Sequence, residues 1–326
     1  MSATTTAETW LSRRPWIDEP GASIDEYVSK VGPAPDDYDL KDQLNHWREH
    51  GIVIFEGAVS HDTIDALLAD IDYLVHHPKD FEISVDLGGG RPHMPIKELE
   101  PRDLLGRTSL KLNNLHSLSK AAIRCALNKY ATSFLRHIFQ DTPCVQQSLF
   151  FIKGSQQPIH LDYPYVKHQQ HIANLAASWV ALEDVHEDSG PLEYYCGSHM
   201  PEVMPFFDWG GGSITLEANS TKDPHAFVTY LQDEVKRLGI QPRTFLPKKG
   251  DMLIWHGYLA HAGTTIRDES RTRKSLVTHY TSKSSYNPEH RYADADEKGR
   301  FYSENGGLFY DLPWTEGWNM LPSWNE

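Results

Sequence analysis

Residues 143–166, PCVQQSLFFIKGSQQPIHLDYPYV, decide the fold of this chain because they predict a strand, a loop at Gly154 and a second strand. Three later segments have the same short strand and turn character: LAASWVALEDV at 175–185, RTFLPKKGDMLIWHGYLAHAGTT at 243–265 and TRKSLVTHYTS at 272–282. Short strands that recur with Gly and Pro turns between them are typical of a sandwich or a barrel. The sequence therefore predicts a mainly β fold.

Helices are predicted before this β region. Residues 40–50 have helical character, and Gly51 is placed to end that helix. Ser60 is a good N-cap for a second, amphipathic helix that reaches about residue 77. A further helical region is predicted from about Ser117 to Phe139. The β region thus has flanking helices.

Composition divides the chain into three parts. Residues 1–38 are rich in Thr, Pro and Asp and are expected to form an irregular arm. The main domain is predicted over 39–285. Residues 286–326 are rich in aromatic side chains, which does not suit a disordered tail. We expect this extension to pack on the same domain.

Charge and composition argue against several binding partners and cellular locations. The net charge of −14 would repel a phosphate backbone, so no nucleic acid partner is expected. No apolar stretch approaches the roughly 20 residues of a membrane span, and the N-terminus lacks a signal peptide pattern. The three cysteines, Cys125, Cys144 and Cys196, form no C-x-x-C pair and indicate a reducing compartment. We predict a cytoplasmic monomer or homodimer that acts on a small molecule and binds no membrane.

Candidate metal ligands lie in two of the predicted strand segments. His160 and Asp162 are two residues apart, so on a strand they would point to the same side. This pair alone does not distinguish a metal site from two polar residues near a turn, because H-x-D often occurs by chance. A third ligand is available about a hundred residues later, where His256 and His261 are the alternatives. This order and spacing are those of a two-histidine, one-carboxylate iron site, which leaves coordination positions open for substrate and oxygen.

An arginine follows this segment at the start of a predicted strand. One face of that strand carries Arg273, Ser275, Val277 and His279. A guanidinium that points into a barrel needs an anionic partner, and its planar fork suits a carboxylate. Ser275 could donate another hydrogen bond. The predicted anion is the distal carboxylate of 2-oxoglutarate, while Arg267 and Arg271 are rival candidates in a charged turn and are expected to face solvent.

Five stretches together resemble one known family. They are HWREHGIVIFEGAVS, QQSLFFIKGSQQPIHLDYPY, SWVALEDVHEDSGPLEYYCGSH, KKGDMLIWHGYLAHAGTT and RTRKSLVTHY, and they span roughly residues 40–285. In this combination and order the chain resembles the phytanoyl-CoA dioxygenase family of Fe(II)/2-oxoglutarate oxygenases. The resemblance implies a double-stranded β-helix, a jelly-roll or cupin-like barrel wrapped by helices.

The resemblance also implies roles for particular residues. His160, Asp162 and His261 would be the iron ligands and catalytic residues, which favours His261 over His256. Arg273 would bind 2-oxoglutarate, and Trp179 matches a position that borders the cosubstrate pocket. The family often has a hydroxyl residue two places after the second histidine, whereas this chain has Gly263, followed by Thr264.

Other polar residues near the iron motif are weaker candidates. Gln147 and Lys153 come from the strand before it and could meet the cosubstrate or the substrate, although they could equally be edge-strand polar residues. His168 and His171 follow the iron motif. They are either solvated surface residues or part of a polar rim for the substrate.

The function that the resemblance implies is oxidative. Fe(II), 2-oxoglutarate and O₂ would be used to hydroxylate an unactivated C–H bond of a polar small molecule or natural product, with succinate and CO₂ as coproducts. The alternative is a jelly roll that binds metal or sugar without oxidation, which gives no reason for a buried Arg273. A hydrolytic zinc site is a third possibility, since zinc also accepts three protein ligands and an open position.

Overall fold

The computed structural model describes residues 5–32, 38–88, 93–105, 109–167, 169–287, 301–310 and 321–325. Its helices are α1 (Ala7–Leu11), α2 (Ile24–Val31), α3 (Leu40–His50), α4 (His61–His76), α5 (Pro101–Leu104), α6 (Lys120–Ala126), α7 (Lys129–Phe139) and α8 (Pro224–Arg237). Its strands are β1 (Ile52–Phe55), β2 (Ser84–Asp86), β3 (Met94–Pro95), β4 (Lys111–Asn113), β5 (Pro143–Phe151), β6 (Ala176–Ala181), β7 (Leu192–Tyr194), β8 (Arg243–Phe245), β9 (Met252–His256), β10 (His261–Gly263), β11 (Ser275–Ser282), β12 (Phe301–Glu304) and β13 (Gly307–Tyr310).

Two sheets form the β part of the fold. The larger sheet has the order β1-β9-β6-β11-β5-β4-β2-β3, and its neighbouring strands are antiparallel. β13 adds to β5 in parallel and carries β12 beside it. The smaller sheet has the order β10-β7-β8. Most neighbours in the larger sheet are far apart in sequence, as the Greek-key connections of a jelly roll require.

The two faces of the larger sheet pack against different layers. One face packs on the smaller sheet through a cluster that includes Trp179, Val277 and Phe245. The opposite face packs on α3, α4, α6 and α7, where Leu276 and Tyr280 join the main hydrophobic core. Side chains alternate along β11, so its odd-numbered residues point between the sheets. These layers confirm the predicted mainly β fold with flanking helices.

Several predicted helix ends agree with the structure. α3 occupies the predicted residues and is followed by Gly51, whose φ of 74° is left-handed and suits glycine. Ser60 caps α4 by accepting a hydrogen bond from the Thr63 N–H. The helical region predicted as one piece over 117–139 is instead two helices, because the Asn128 side chain caps the N-terminus of α7.

The N-terminal arm was predicted to be irregular, but the structure shows two helices in it. It contains α1 and α2, and the Ser23 side chain caps α2. Trp10 of α1 is buried against Phe206 and Tyr258, so long-range packing stabilises a helix too short to be stable alone. The boundary at residue 38 stays a prediction.

The described parts of the C-terminal segment contact the rest of the fold. β13 pairs with β5, and the turn of 3₁₀-helix at Pro322–Asn325 lies on α4. There the backbone N–H and hydroxyl of Ser323 donate to the buried carboxylate of Asp70, at 2.9 and 2.6 Å. Across the described ranges, no helix combines the length and the apolar character needed to cross a bilayer.

Candidate metal centre

The predicted second strand around His160 does not form. His160 makes only an isolated β-bridge with His261, with backbone N–O distances of 2.9 and 3.0 Å. The chain turns immediately afterwards, because the Asp162 carbonyl accepts hydrogen bonds from the N–H groups of Tyr165 and Val166. This bridge sets His160 beside the first residue of β10, and Asp162, two residues further on, begins the turn.

Three side chains converge at this bridge. The nearest nitrogen or oxygen atoms of His160, Asp162 and His261 all lie within 4.8 Å of one another, as the ligands of a single metal ion must. Asp162 Oδ1 is 3.9 Å from His160 Nε2 and 3.6 Å from His261 Nε2. The structure therefore brings together the three residues that sequence analysis selected as ligands.

Backbone carbonyls orient both imidazoles. His160 Nδ1 is 2.8 Å from the Pro158 carbonyl, and His261 Nδ1 is 3.0 Å from the Leu259 carbonyl. A carbonyl only accepts, so each Nδ1 carries a proton and each Nε2 is the atom that faces the centre. Burial, reinforced by His261, lowers the pKa of His160 to about 3. His160 is therefore in the neutral form that metal binding requires.

The outer oxygen of Asp162 has its own partners. Trp255 Nε1 donates to Oδ2 at 2.8 Å, and His279 Nε2 lies 3.3 Å from the same atom. Burial alone would raise the pKa of Asp162, but His261 and His279 more than offset it and hold the pKa well below its usual range. The carboxylate is therefore ionised and ready to bind a cation.

The three residues open onto a cavity of about 210 Å³ between the two sheets. Its lining is Lys111, Gln147, Leu149, Phe151, Ser155, Gln157, His160, Asp162, Tyr165, Val166, Trp179, Leu192, Trp255, His261, Ala262, Gly263, Arg273, Val277 and His279. Ten of these nineteen residues are apolar, aromatic or glycine, and nine are polar or charged. Small-molecule sites likewise combine apolar walls with polar groups that orient the ligand.

Arg273 is a buried cation without a counter-ion in this cavity. The residue is 2% exposed, its Nη1 donates to the Gly190 carbonyl at 3.0 Å, and its guanidinium lies 5.3 Å from the centre of the Trp179 ring. Its Nε has no hydrogen-bond partner, and no carboxylate among the described residues pairs with it. Burial lowers the pKa of Arg273 to about 10, so the side chain is still charged at neutral pH. This arrangement fits an anionic ligand.

The rival arginines lie on the surface. Arg267 Nε is 2.6 Å from Asp188 Oδ1, and Arg271 Nε is 3.0 Å from Asp268 Oδ2. Their side chains are 60% and 44% exposed. Each already has an acidic partner, and neither contributes to the cavity wall.

The remaining predicted cosubstrate residues divide into three cases. Gln147 lines the cavity, with its Nε2 3.0 Å from His279 Nδ1. Ser275 does not line the cavity, but its Oγ is buried without a partner among the described residues. Lys153 lies outside the cavity, because β5 ends before it and its ammonium group pairs with Glu269.

The other histidines named as candidates are not brought to the centre. His256 ends β9 and its Nε2 lies 3.1 Å from Asp18 Oδ2, with both side chains almost fully buried. His171 does not line the cavity, and its backbone N–H binds the Ser285 hydroxyl. His168 lies outside the described residues.

Gly263 has a structural reason to lack a side chain. A Cβ at this position would lie 2.5 Å from Ser155 Oγ and 2.8 Å from the backbone nitrogen of Gln156. The neighbouring Thr264 hydroxyl is used elsewhere, since it donates to the Pro191 carbonyl at 2.9 Å. Neither Gly263 nor Thr264 therefore offers a free hydroxyl that could contact the cosubstrate.

Two residues that contact Asp162 have no role predicted from the sequence. Trp255 sits next to the rejected His256 in LIWHGYLAH, and nothing in that stretch marks its indole as a hydrogen-bond donor. His279 did carry a signal, because strand alternation places it on the same face as Arg273.

Comparison with known families identifies the class of protein. The sequence profile described as phytanoyl-CoA dioxygenase (PhyH) matches residues 47–275, which is well over half of the chain. The chain belongs to the phytanoyl-CoA dioxygenase family, as predicted. Comparison with curated protein sequences gives no significant match.

Solved structures share the fold at low sequence identity. The carbocyclase SnoK from nogalamycin biosynthesis, described as non-heme and α-ketoglutarate dependent, has a TM-score of 0.58 and 16% identity over 85% of this chain and 99% of its own. The epimerase SnoN from the same biosynthesis has a TM-score of 0.56 and 16% identity over 83% and 97%. EctD from S. alaskensis, solved with 2-oxoglutarate and 5-hydroxyectoine, has a TM-score of 0.52 and 15% identity over 77% and 78%. These likenesses confirm the jelly-roll type of fold.

Proposed function

We propose that this protein is an Fe(II)/2-oxoglutarate-dependent dioxygenase that oxidises a small molecule. One observation carries the proposal: a buried, unpaired Arg273 shares a cavity with His160, Asp162 and His261. A metal-binding protein without a cosubstrate would have no use for this cation. An uncompensated charge is costly to bury, so the site is built for an anion that arrives with its ligand.

The cavity residues would have distinct roles in binding the metal and the cosubstrate. His160, Asp162 and His261 hold Fe(II), with two neutral imidazoles and one carboxylate that leave a net positive charge on the site. The Arg273 fork holds the distal carboxylate of 2-oxoglutarate, and Ser275, whose buried hydroxyl is unpaired but does not line the cavity, is a candidate second donor to that group. Trp179 lies against the guanidinium and forms the wall beside it. When bound, the iron and 2-oxoglutarate supply oxygen activation, with succinate and CO₂ as coproducts.

We propose hydroxylation of an unactivated C–H bond as the outcome. The substrate is a polar small molecule or natural product, because the cavity wall beyond the metal ligands and Arg273 includes Lys111, Ser155 and Gln157 as well as apolar side chains. SnoK and SnoN are described as a carbocyclase and an epimerase, so ring closure and epimerisation are the other outcomes to be examined in product analysis.

We also propose that the enzyme works in the cytoplasm. Cys125, Cys144 and Cys196 are free thiols, and two of them are buried. Burial raises the pKa of Cys125 to about 12, so this thiol stays protonated. Free thiols of this kind suit a reducing compartment.

The test is cosubstrate turnover by the full-length protein. Purified protein is supplied with Fe(II), 2-oxoglutarate and air, together with a panel of polar metabolites and natural products. Succinate formation and product masses are then measured. We expect succinate that depends on iron and rises with one class of compound, and a product heavier by one oxygen atom.

Matched variants separate the site from general damage. His261→Ala should abolish succinate formation, whereas His256→Ala, which removes an equally buried imidazole outside the cavity, should retain it. Iron binding without any 2-oxoglutarate consumption would instead support the non-oxidative binding protein.

A further inference from the structure

We propose that His279, oriented by Gln147, is a positioning residue that fixes Asp162 so that only Oδ1 faces the metal. The inference rests on the proposed function, because it concerns the ligand geometry of the same metal site. It assigns a task to two cavity residues that do not themselves belong to the ligand set. It also moves Gln147 from a predicted cosubstrate contact to a support for a ligand.

The two oxygens of Asp162 have different surroundings. Oδ1 points to the histidine ligands, at 3.9 Å from His160 Nε2 and 3.6 Å from His261 Nε2. Oδ2 points away from them and contacts Trp255 Nε1 at 2.8 Å and His279 Nε2 at 3.3 Å. The carboxylate is thus held between a metal-facing side and a donor side.

Gln147 determines which nitrogen of His279 carries the proton. Gln147 Nε2 lies 3.0 Å from His279 Nδ1, and an amide nitrogen only donates. Nδ1 must therefore accept, which leaves the imidazole proton on Nε2, the atom that faces Asp162. His279 Nε2 makes no hydrogen bond among the described residues, and Asp162 Oδ2, 3.3 Å away, is the acceptor that it faces.

The backbone holds this pair in place. His279 and Gln147 are directly opposite each other in the β11–β5 ladder, and His279 is also opposite Ala177 in β6. The β11–β5 register shifts between His279 and Tyr280, immediately after the pair. Irregularities of this kind redirect side chains near active sites. The central position of β11 gives His279 little freedom to move away from Asp162.

The consequence concerns the number of open coordination positions. A carboxylate can bind a metal through one oxygen or through both. The Trp255 hydrogen bond and the His279 contact at Oδ2 favour binding through Oδ1 alone, which leaves three positions of an octahedral metal for other ligands. Trp255 on β9 supplies a hydrogen bond to Oδ2, and His279 on β11 places its Nε2 3.3 Å from the same oxygen.

The test uses Co(II) as a probe of the metal site in the full-length, metal-free protein. The affinity is measured by titration, and the visible absorption of Co(II) reports its coordination number. We expect His279→Leu to weaken Co(II) binding about 10- to 100-fold and to change the absorption, since loss of a partner behind a ligand has this typical effect. His279→Gln can again offer an N–H to Oδ2, so it should recover most of the affinity and the wild-type spectrum.

Two further variants complete the design. Gln147→Met keeps the length of the side chain but removes the donor, so it should weaken Co(II) binding less than His279→Leu. It also serves if His279→Leu does not fold, which thermal melting will show. His256→Leu removes a buried histidine that does not line the cavity and should leave the affinity and spectrum unchanged.

The outcomes separate the inference from the proposed function. Wild-type affinity and spectrum in both His279→Leu and Gln147→Met would overturn the positioning role. An unchanged Co(II) site with a raised KM for 2-oxoglutarate in His279→Leu would also overturn it and make His279 a cosubstrate contact. If wild-type protein binds Co(II) no better than His261→Ala, the metal site itself is refuted, and the proposed function fails first.

Discussion

Arg273→Ala is the change that bears most directly on the proposed cosubstrate. The guanidinium is buried, has an unpaired Nε and is the cation in the cavity that lacks an acidic partner among the described residues. Removing it would leave the distal carboxylate of 2-oxoglutarate buried without its partner, which costs about 2–5 kcal/mol. At about 1.4 kcal/mol per tenfold, the affinity for 2-oxoglutarate should fall roughly 30-fold to a few thousand-fold.

The assay is the apparent KM for 2-oxoglutarate, read as succinate formation, together with the iron content of each variant. Iron binding should survive in Arg273→Ala, because the ligands are other residues. Arg273→Lys should restore only part of the affinity, since an ammonium group cannot reproduce the planar fork.

Arg267→Ala and Arg271→Ala are matched controls, because both arginines are exposed and paired with acidic side chains. An unchanged KM in Arg273→Ala with a large rise in either control would move the carboxylate site to that arginine. No change in any of the three would refute the reasoning that a buried cation marks a 2-oxoglutarate site.

Three further results are expected. Asp162→Ala should lose bound iron and all oxidative turnover, as metal analysis and succinate assays will show; full activity would remove this residue from the ligand set. His256→Ala should keep iron but lower the free energy of unfolding by about 3 kcal/mol in denaturant titrations, because it leaves a buried carboxylate without its partner. The melting temperature of the metal-free protein should fall as the pH drops below about 6.5. Burial lowers the pKa of His160 and His199 to about 3, so the unfolded chain takes up protons that the folded chain excludes, and stability present above pH 6.5 is lost towards pH 3; calorimetry that shows a constant melting temperature between pH 7 and 5 would contradict this.

Local sequence signals were sufficient to predict the ends of helices that have their own capping residues. Gly51 and Ser60 mark helix ends by backbone freedom and by a side-chain hydrogen bond, and both act within a few residues. Asn128 gives the same kind of signal, and reading it would have divided α6 from α7. Such caps need no knowledge of the rest of the fold.

Contacts between distant residues could not be read in this way. Asp18 meets His256 across more than two hundred residues, and the burial of Trp10 depends on aromatic residues that follow the iron motif. The position of Asp162 depends on a turn and a bridge and not on a strand, although the resulting convergence of ligands is the predicted one. The sequence therefore predicted which residues meet better than it predicted the backbone that brings them together.

The buried pair between Asp18 and His256 has a practical consequence for anyone who shortens this protein. The family profile begins at residue 47 and ends at 275, which suggests a convenient fragment for expression. Such a fragment would lack Asp18, whose buried carboxylate lies 3.1 Å from His256 Nε2. It would also end at the first residue of β11, before His279. We therefore expect the folding unit to be larger than the region of family likeness, and a metal-binding product to need residues on both sides of it.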